Sequence, residues 1–459
     1  MVKYQQAFDE IRSLIGERLS QRQADREQHG QSETWHRAPP PDAVAWPETT
    51  QEVSRILAIC NRHGCPVIGW GTGTSLEGHA LAVHGGLVLD LMRMDRVLDI
   101  RSGDMLAVVQ PGVTRGKLNT ELRATGLFFP IDPGADASLG GMAATRASGT
   151  MAVRYGTMRD AVLGLEVVLA DGTIIRTGTK AAKSSAGYDL TALMVGSEGT
   201  LGIITELTLR LYGQPEDVAA AVCAFASMDD AVNCVAMTMQ CGIPMARIEF
   251  MDPIAMRAVN LHSGSDYPEL PHLLVEFNGS PDTVRSDAEA FGEIVADGGG
   301  QGFRWAASSE DRNKLWEARH AAYWATLRLR PGATGVVTDV CVPMSELPAA
   351  VAAAAADMEA AGIPGNIVGH VGDGNFHTLL LIESDNAEEL VRAKDIANAM
   401  SRRAIAVGGT VSGEHGIGLG KRELMNEQHG PAWALMRTIK AALDPKNILN
   451  PGKLVPDPD

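Results

Sequence analysis

Two stretches in the last quarter of the chain carry residue types that hold metals and move protons. The first, His370-Val371-Gly372-Asp373-Gly374-Asn375-Phe376-His377, has Asp-Gly at its centre, the preferred pair for a two-residue hairpin turn. With Asp373 and Gly374 as that turn, His370 lies opposite His377, their Cβ atoms roughly 5 Å apart. The second, Ser412-Gly413-Glu414-His415-Gly416-Ile417-Gly418, sets a carboxylate beside a further imidazole between glycines. Two histidines and a glutamate suit Zn²⁺, Mn²⁺ or Fe²⁺ with positions left open for substrate. Each histidine taken alone would more often be a packed or surface residue. The same three residues would also serve as the facial triad of a non-haem Fe(II) oxygenase, whereas a His-Glu-x-x-His protease helix does not match.

The first half is marked by glycine instead. Clusters occur at Gly69-Trp70-Gly71-Thr72-Gly73-Thr74-Ser75, at Asp132 to Gly141 and at Gly196 to Gly202. Glycine lets backbone N–H groups approach an anion, and the interleaved hydroxyls add donors, so such loops suit a pyrophosphate. Neither Gly-x-Gly-x-x-Gly nor a P-loop is present. One cluster alone is better read as a tight turn; three in one domain favour a large nucleotide-bearing cofactor.

These residues need a scaffold, and the 459-residue chain is long enough for two or three domains. A formal charge of −16 has the wrong sign for nucleic-acid binding. No apolar run approaches the ~20 residues of a membrane span, and the charged first thirty residues exclude an ordinary secretory signal. A cytoplasmic protein is expected, at most peripheral to the inner membrane through an electron acceptor. Six cysteines give no disulfide framework. Residues 1–38 read as a helical lead and connector ahead of the first domain. Thr49 and Glu52 form a capping-box signature for a helix with Val53, Ile56, Leu57 and Cys60 on one face and Gly64 as its stop. Short strands are expected at 66–69, 87–91 and 106–110, a helix near 114–125, a hairpin about Asp171-Gly172 and a half-buried strand at 203–211. Longer helices follow at 345–361 and about 385–407. The alternation implies an α+β or α/β fold.

Together the glycine clusters, Ser184 to Leu190, Trp316 to His320, Thr338-Asp339-Val340-Cys341-Val342-Pro343, the two histidine stretches and Asn450-Pro451-Gly452-Lys453 resemble the FAD-linked oxidoreductases of the vanillyl-alcohol-oxidase type. Within that group the likeness is to flavin-dependent D-2-hydroxyacid enzymes, collinear over roughly residues 40 to 455. The resemblance implies an α+β fold: a two-subdomain FAD-binding domain of the PCMH type over 39–213, then a ferredoxin-like substrate domain over 214–459 whose C-terminal segment returns to the flavin. It implies FAD contacts from Gly71, Thr72, Gly73, Thr74, Ser75, Pro133, Asp136, Ser138, Gly141, Ser148 and Gly149, with Gly199, Gly202 and Ile203 by the adenine half. Non-covalent FAD is expected, because the first loop has no histidine where relatives tether the flavin; His79 lies nearby but displaced.

The same resemblance makes His370, His377 and Glu414 ligands of a divalent metal, His415 the catalytic base and Arg319 the clamp for a substrate carboxylate. The implied reaction takes D-lactate, or a similar D-2-hydroxy monocarboxylate, to the 2-oxoacid, with hydride passing to flavin N5 and electrons to a cytochrome, quinone or flavoprotein. Val337-Thr338 stands where D-2-hydroxyglutarate dehydrogenases carry a lysine, and Leu379 is apolar, which favours a monocarboxylate. Oxidation of D-2-hydroxyglutarate or glycolate is the alternative within the family. A homodimer is the default oligomer.

Overall fold

The computed structural model describes residues 3–306 and 308–456, and the chain divides into two compact units. Unit one comprises the described residues up to Ser148, Gly156–Gln214 and the described residues from Glu414 onward; unit two comprises Gly149–Tyr155 and Pro215–Gly413.

This division departs from the expected domains in two places. The lead is no separate connector: Ala7, Phe8, Ile11 and Ile15 of the helix Gln5–Ile15 are buried in one core with Val53, Ile56, Leu57 and Cys60. Fully burying side chains such as Phe8 and Ile11 stabilises by about 1.5–3 kcal/mol each. The charges that suggest a solvated lead, Glu10, Arg12 and Glu17, lie on the outer side of an amphipathic turn. Leu19–Ser20 then adds an antiparallel strand to Ala43–Ala45. The expected 214–459 domain also splits at Gly413. Beyond it the chain rejoins unit one, where Leu449 makes a parallel bridge to Val67 and Val67 donates its N–H to Ile448.

Unit one is built on two principal sheets. In the first, Ala43–Ala45, Leu87–Asp90 and Val67–Trp70 run parallel, with Leu19–Ser20 antiparallel at the edge. Helix Thr50–His63 covers it, its Thr49 hydroxyl accepting from Glu52 N–H and Gly64 closing it in the left-handed conformation. The second sheet is antiparallel, in the order Val97–Arg101, Leu106–Val109, Ile203–Arg210, Val162–Val168, Ile174–Gly178. Its last two strands form the expected Asp171-Gly172 hairpin.

Unit two is one antiparallel sheet with helices. Its strands run in the order Gln301–Trp305, Asp217–Ala224, His272–Gly279, Arg247–Met251, Gly365–Gly369, Asn375–Glu383, Ala333–Val337, and Val340–Cys341 also pairs with Asn375–Glu383. Helices Leu347–Ala361 and Ala387–Ala406 match the expected long helices within two or three residues.

Candidate active site

Strand Arg247–Met251 and helix Ser309–His320 build the charged floor of unit two. Alternate strand residues face one way, about 6.6 Å apart, and residues three apart on a helix share a face. Arg247 and Glu249 accordingly meet Trp316 and Arg319. The Arg247 guanidinium lies 4.6 Å from the Trp316 ring centroid, and Trp316 Nε1 donates to Glu276 at 2.7 Å. Arg319 donates from Nε (2.9 Å) and Nη2 (2.8 Å) to one oxygen of the fully buried Glu249. The Glu249 pair thus occupies the Nε–Nη2 edge of Arg319.

His370 and His377 converge, but not by the expected register. Val368, not His370, lies opposite His377 in the ladder, and the connection is a five-residue loop. Val371–Asp373 forms one 3-10 turn, with Asp373 N–H donating to His370 C=O and Gly374 N–H to Val371 C=O. Asp-Gly therefore ends a helical turn and does not form a two-residue hairpin. Gly374 is required: its φ is +76°, and a Cβ there would come within 2.1 Å of Val342 O. The imidazole centroids are 5.4 Å apart and edge-on.

Each ring has its Nδ1 engaged by a protein oxygen. His370 Nδ1 is 2.8 Å from Glu249 Oε1, and His377 Nδ1 is 3.2 Å from Thr338 O. Acceptors at both positions favour the Nδ1–H tautomer, in which the ring lone pair sits on Nε2. Asp339, 1% exposed, backs His377 at 3.6 Å while accepting from Asn375 Nδ2 and Ser412 Oγ. The donor set present thus fits a divalent ion with nitrogen ligands.

In unit one the three glycine clusters come together. A Cβ on Gly71 would lie 2.1 Å from Ser138 Oγ, so the first and second clusters touch. The helix Leu139–Thr145, which begins inside the second cluster, accepts from the third: Gly196 N–H donates to Ala143 C=O and Glu198 N–H to Ala144 C=O. His79 Nε2, just past the first, is 3.3 Å from Glu198 Oε1 in the third. A cavity of about 450 Å³ adjoins Gly71, Thr72 and Gly73 and is walled in part by Gln28, His29 and Gln31 to Glu33 of the leading segment.

Residues 214–454 match the family of FAD-linked oxidases, C-terminal domain, and residues 41–178 match the FAD-binding domain. The chain belongs to the FAD-linked oxidases. It is 50% identical to a probable D-lactate dehydrogenase, mitochondrial, of Danio rerio over 97% of this chain and 90% of that one. It is 40% identical to a D-lactate dehydrogenase (cytochrome), mitochondrial, of Arabidopsis thaliana over 98% of this chain and 80% of that one. Among solved structures, substrate-bound p-cresol methylhydroxylase superposes with TM-score 0.80 at 18% identity, covering 98% of this chain and 96% of that one, a likeness of fold.

The mitochondrial relatives overturn the expected cytoplasmic location. That expectation rested on the absence of an apolar secretory core, a test blind to mitochondrial targeting, whose segments are amphipathic and Arg-rich. Among the described residues no helix is long and apolar enough to cross a membrane.

In this FAD-linked oxidase the residues expected to meet the cofactor sort by environment. Gly71 to Ser75 stay partly accessible, with Thr72 and Thr74 hydroxyls 3.2 Å apart. Pro133, Gly141 and the positive-φ Gly199 are partly accessible, and Ser138 is buried against Gly71. Three others have local duties. Asp136 is exposed and accepts from Gly116 N–H, Ile203 belongs to the core with Val67 and Leu449, and Gly202 lies against Val167. Ser148 Oγ donates to Glu414 at 2.8 Å, and Gly149 opens the short segment assigned to unit two. The glycine cradle fits an FAD pyrophosphate.

Glu414 and His415 open the returning segment, with His415 Nε2 3.9 Å from Glu414 Oε1. A buried network fixes their loop. Glu198 accepts from Ile417 N–H (2.7 Å) and Gly418 N–H (2.9 Å). Burial pushes the Glu198 carboxyl up, but His79 and these two amides outweigh it and hold it below the usual carboxylate range. Asn450 Nδ2 donates to His79 O and Glu198 O, and Lys453 Nζ donates to Leu81 O and Asn450 Oδ1. Burial lowers the Lys453 amine to about 7 against the pull of Glu198. The Asn-Pro-Gly-Lys motif is thus a buried hook. Glu249 and Glu198 are absent from the sequence-derived site; a lone carboxylate in the otherwise apolar Ile248-Glu249-Phe250 run was the available signal for the first.

Proposed function

We propose that this FAD-linked oxidase oxidises D-lactate, or a similar D-2-hydroxy monocarboxylate, to the 2-oxoacid, using non-covalent FAD and one divalent ion (Zn²⁺, Mn²⁺ or Fe²⁺) held by His370, His377 and Glu414. The observation that carries the reading is the buried guanidinium of Arg319, joined through Glu249 to His370, whose ring lies 5.4 Å from that of His377. The names of the Danio rerio and Arabidopsis thaliana relatives support the substrate, and the second also supports a cytochrome as electron acceptor. Packing of His79 against Glu198 and Gly416 supports FAD held without a covalent tether.

Bound FAD would supply the two-electron acceptor and a bound divalent ion a Lewis acid. Arg319 receives the substrate carboxylate on its planar edge and fixes the α-carbon. His415 takes the α-hydroxyl proton, help worth about 10²- to 10⁴-fold when its pKa lies near working pH. His370 and His377 have their ring planes fixed by the Nδ1 contacts to Glu249 and Thr338 and would offer Nε2 to the ion. A second substrate carboxylate finds no cation at Thr338, which is buried with its hydroxyl 2.9 Å from that of Thr378. That environment favours a monocarboxylate over 2-hydroxyglutarate.

The test is the visible spectrum of the purified protein under anaerobic conditions, with D-lactate and L-lactate added separately before and after chelation. Bleaching by D-lactate alone, stopped by chelation, is expected. A flavin band that neither enantiomer bleaches would refute the substrate, and bleaching indifferent to chelation would refute the metal.

A further inference from the structure

Glu249 touches both His370 and Arg319, one with each carboxylate oxygen. Its side chain is completely buried, and both carboxylate oxygens are used on different partners. Oε1 lies 2.8 Å from His370 Nδ1; Oε2 accepts both the Nε and Nη2 donors of Arg319. An ionised carboxylate on the far nitrogen of a ligating imidazole fixes its tautomer and ring plane and raises its basicity toward a metal. The same carboxylate pins a guanidinium whose rotamers would otherwise be many. The strand supports this geometry: Glu249 lies opposite Leu274 and is followed by Phe250, opposite Gly369, the residue just before His370.

We propose that Glu249 is a positioning residue that couples the two halves of the site in unit two, orienting His370 for the divalent ion through one oxygen and Arg319 for the substrate carboxylate through the other. The inference rests on the reading that His370 is a metal ligand and Arg319 the carboxylate clamp. Its distinctive consequence is that one substitution weakens two different ligands. A residue needed only for folding would lower stability and leave both affinities in the surviving protein unchanged.

The experiment uses the full-length, FAD-loaded protein, stripped of metal and titrated with Zn²⁺ against a chromogenic chelator, then with D-lactate by anaerobic bleaching. Glu249→Gln keeps the shape and removes the charge. It is expected to weaken Zn²⁺ binding 10- to 100-fold, the usual effect of losing an outer partner of a metal-bound histidine, and to raise the D-lactate concentration for half-bleaching about tenfold. Because Glu249→Gln leaves Arg319 buried without its counter-charge, the double variant Glu249→Gln/Arg319→Met serves if the single one does not fold. It should show the same loss of Zn²⁺ affinity. Zn²⁺ binding within twofold of the parent in either soluble variant overturns the proposal, as does a change in Zn²⁺ binding with D-lactate response untouched in the single variant. A parent protein that binds no Zn²⁺ sinks the metal site itself and the proposal with it, an outcome distinct from the other two.

Discussion

The two units position chemistry by opposite means. Unit two uses side chains on a rigid sheet: Glu249 from one strand, His377 from another and Arg319 from a covering helix, each fixed by packing and one or two short contacts. Unit one uses backbone. Its glycine clusters offer N–H groups, and its His415 loop is held by main-chain donations to Glu198. Side-chain sites tolerate little change of residue type; backbone sites tolerate little change of shape. At Gly416, φ is +80° and a Cβ would press on His79 Nε2 at 2.7 Å and Glu198 Oε1 at 2.8 Å.

The sharpest way to break this contrast is to remove one group from each unit. His415→Asn should retain yellow FAD and Zn²⁺ binding and slow flavin reduction by about 10²- to 10⁴-fold; loss of FAD from that variant would contradict its assignment as a base. Next in size, Arg319→Lys should raise KM for D-lactate roughly tenfold or more with kcat less affected, because a point cation cannot reproduce the planar fork and leaves Glu249 half-satisfied. An unchanged KM removes Arg319 from the site.

The smallest effect concerns pH, where the units should respond with opposite sign. Burial raises the Asp252 carboxyl of unit two to about 7, despite N–H donation from Ala255 and Ile367. Between its ordinary 3.8 and about 7 the folded state keeps a proton that the unfolded state has lost, so Asp252 costs unit two stability as pH rises through that window. Lys453 of unit one is displaced downward to about 7 from 10.5, so the unfolded state holds the extra proton between those values and stability rises with pH. Hydrogen exchange followed in each unit from pH 5 to 9 should show slopes of opposite sign, flattened by Asp252→Asn in unit two and by Lys453→Met in unit one. Slopes of the same sign, or unchanged in the variants, would refute the pairing.

Much of the local structure was legible in the residues. The helix Thr50–His63 was readable with its Thr49 cap and Gly64 stop, as were the Asp171-Gly172 hairpin and the strand Ile203–Arg210, because periodicity and turn chemistry act over a few neighbours. The Asp373-Gly374 pair misled, since the same dipeptide can close a 3-10 turn when Gly374 must slip beneath Val342 O, a contact invisible to local rules. The packing of the lead helix is masked because its four core-facing residues are interleaved with the charged Asp9, Glu10 and Arg12 and with polar neighbours. Glu249 and Glu198 escaped for a related reason: their partners lie 70 and 121 positions away for the first and about 220 for the second. The chemistry of His370, His377, Glu414 and His415 was visible as residue types; what holds them was not.

The excursion into unit two also sets a timetable for synthesis. The first sheet of unit one is translated early, but Lys453 meets Leu81 from 372 positions downstream, and Glu198 has no Ile417 or Gly418 to accept from until unit two has emerged. At about 5–20 residues per second, the roughly 200 residues of Pro215 to Gly413 delay that closure by about 10–40 s. Through that interval the nascent unit one exposes the apolar faces of Val67 and Cys65 that Ile448 and Leu449 later cover. Contacts of such long sequence separation are the slow ones to form. The last strap to be made is thus the one that shuts the cofactor unit, and a ribosome that stalls beyond Gly413 leaves behind an open, adhesive half.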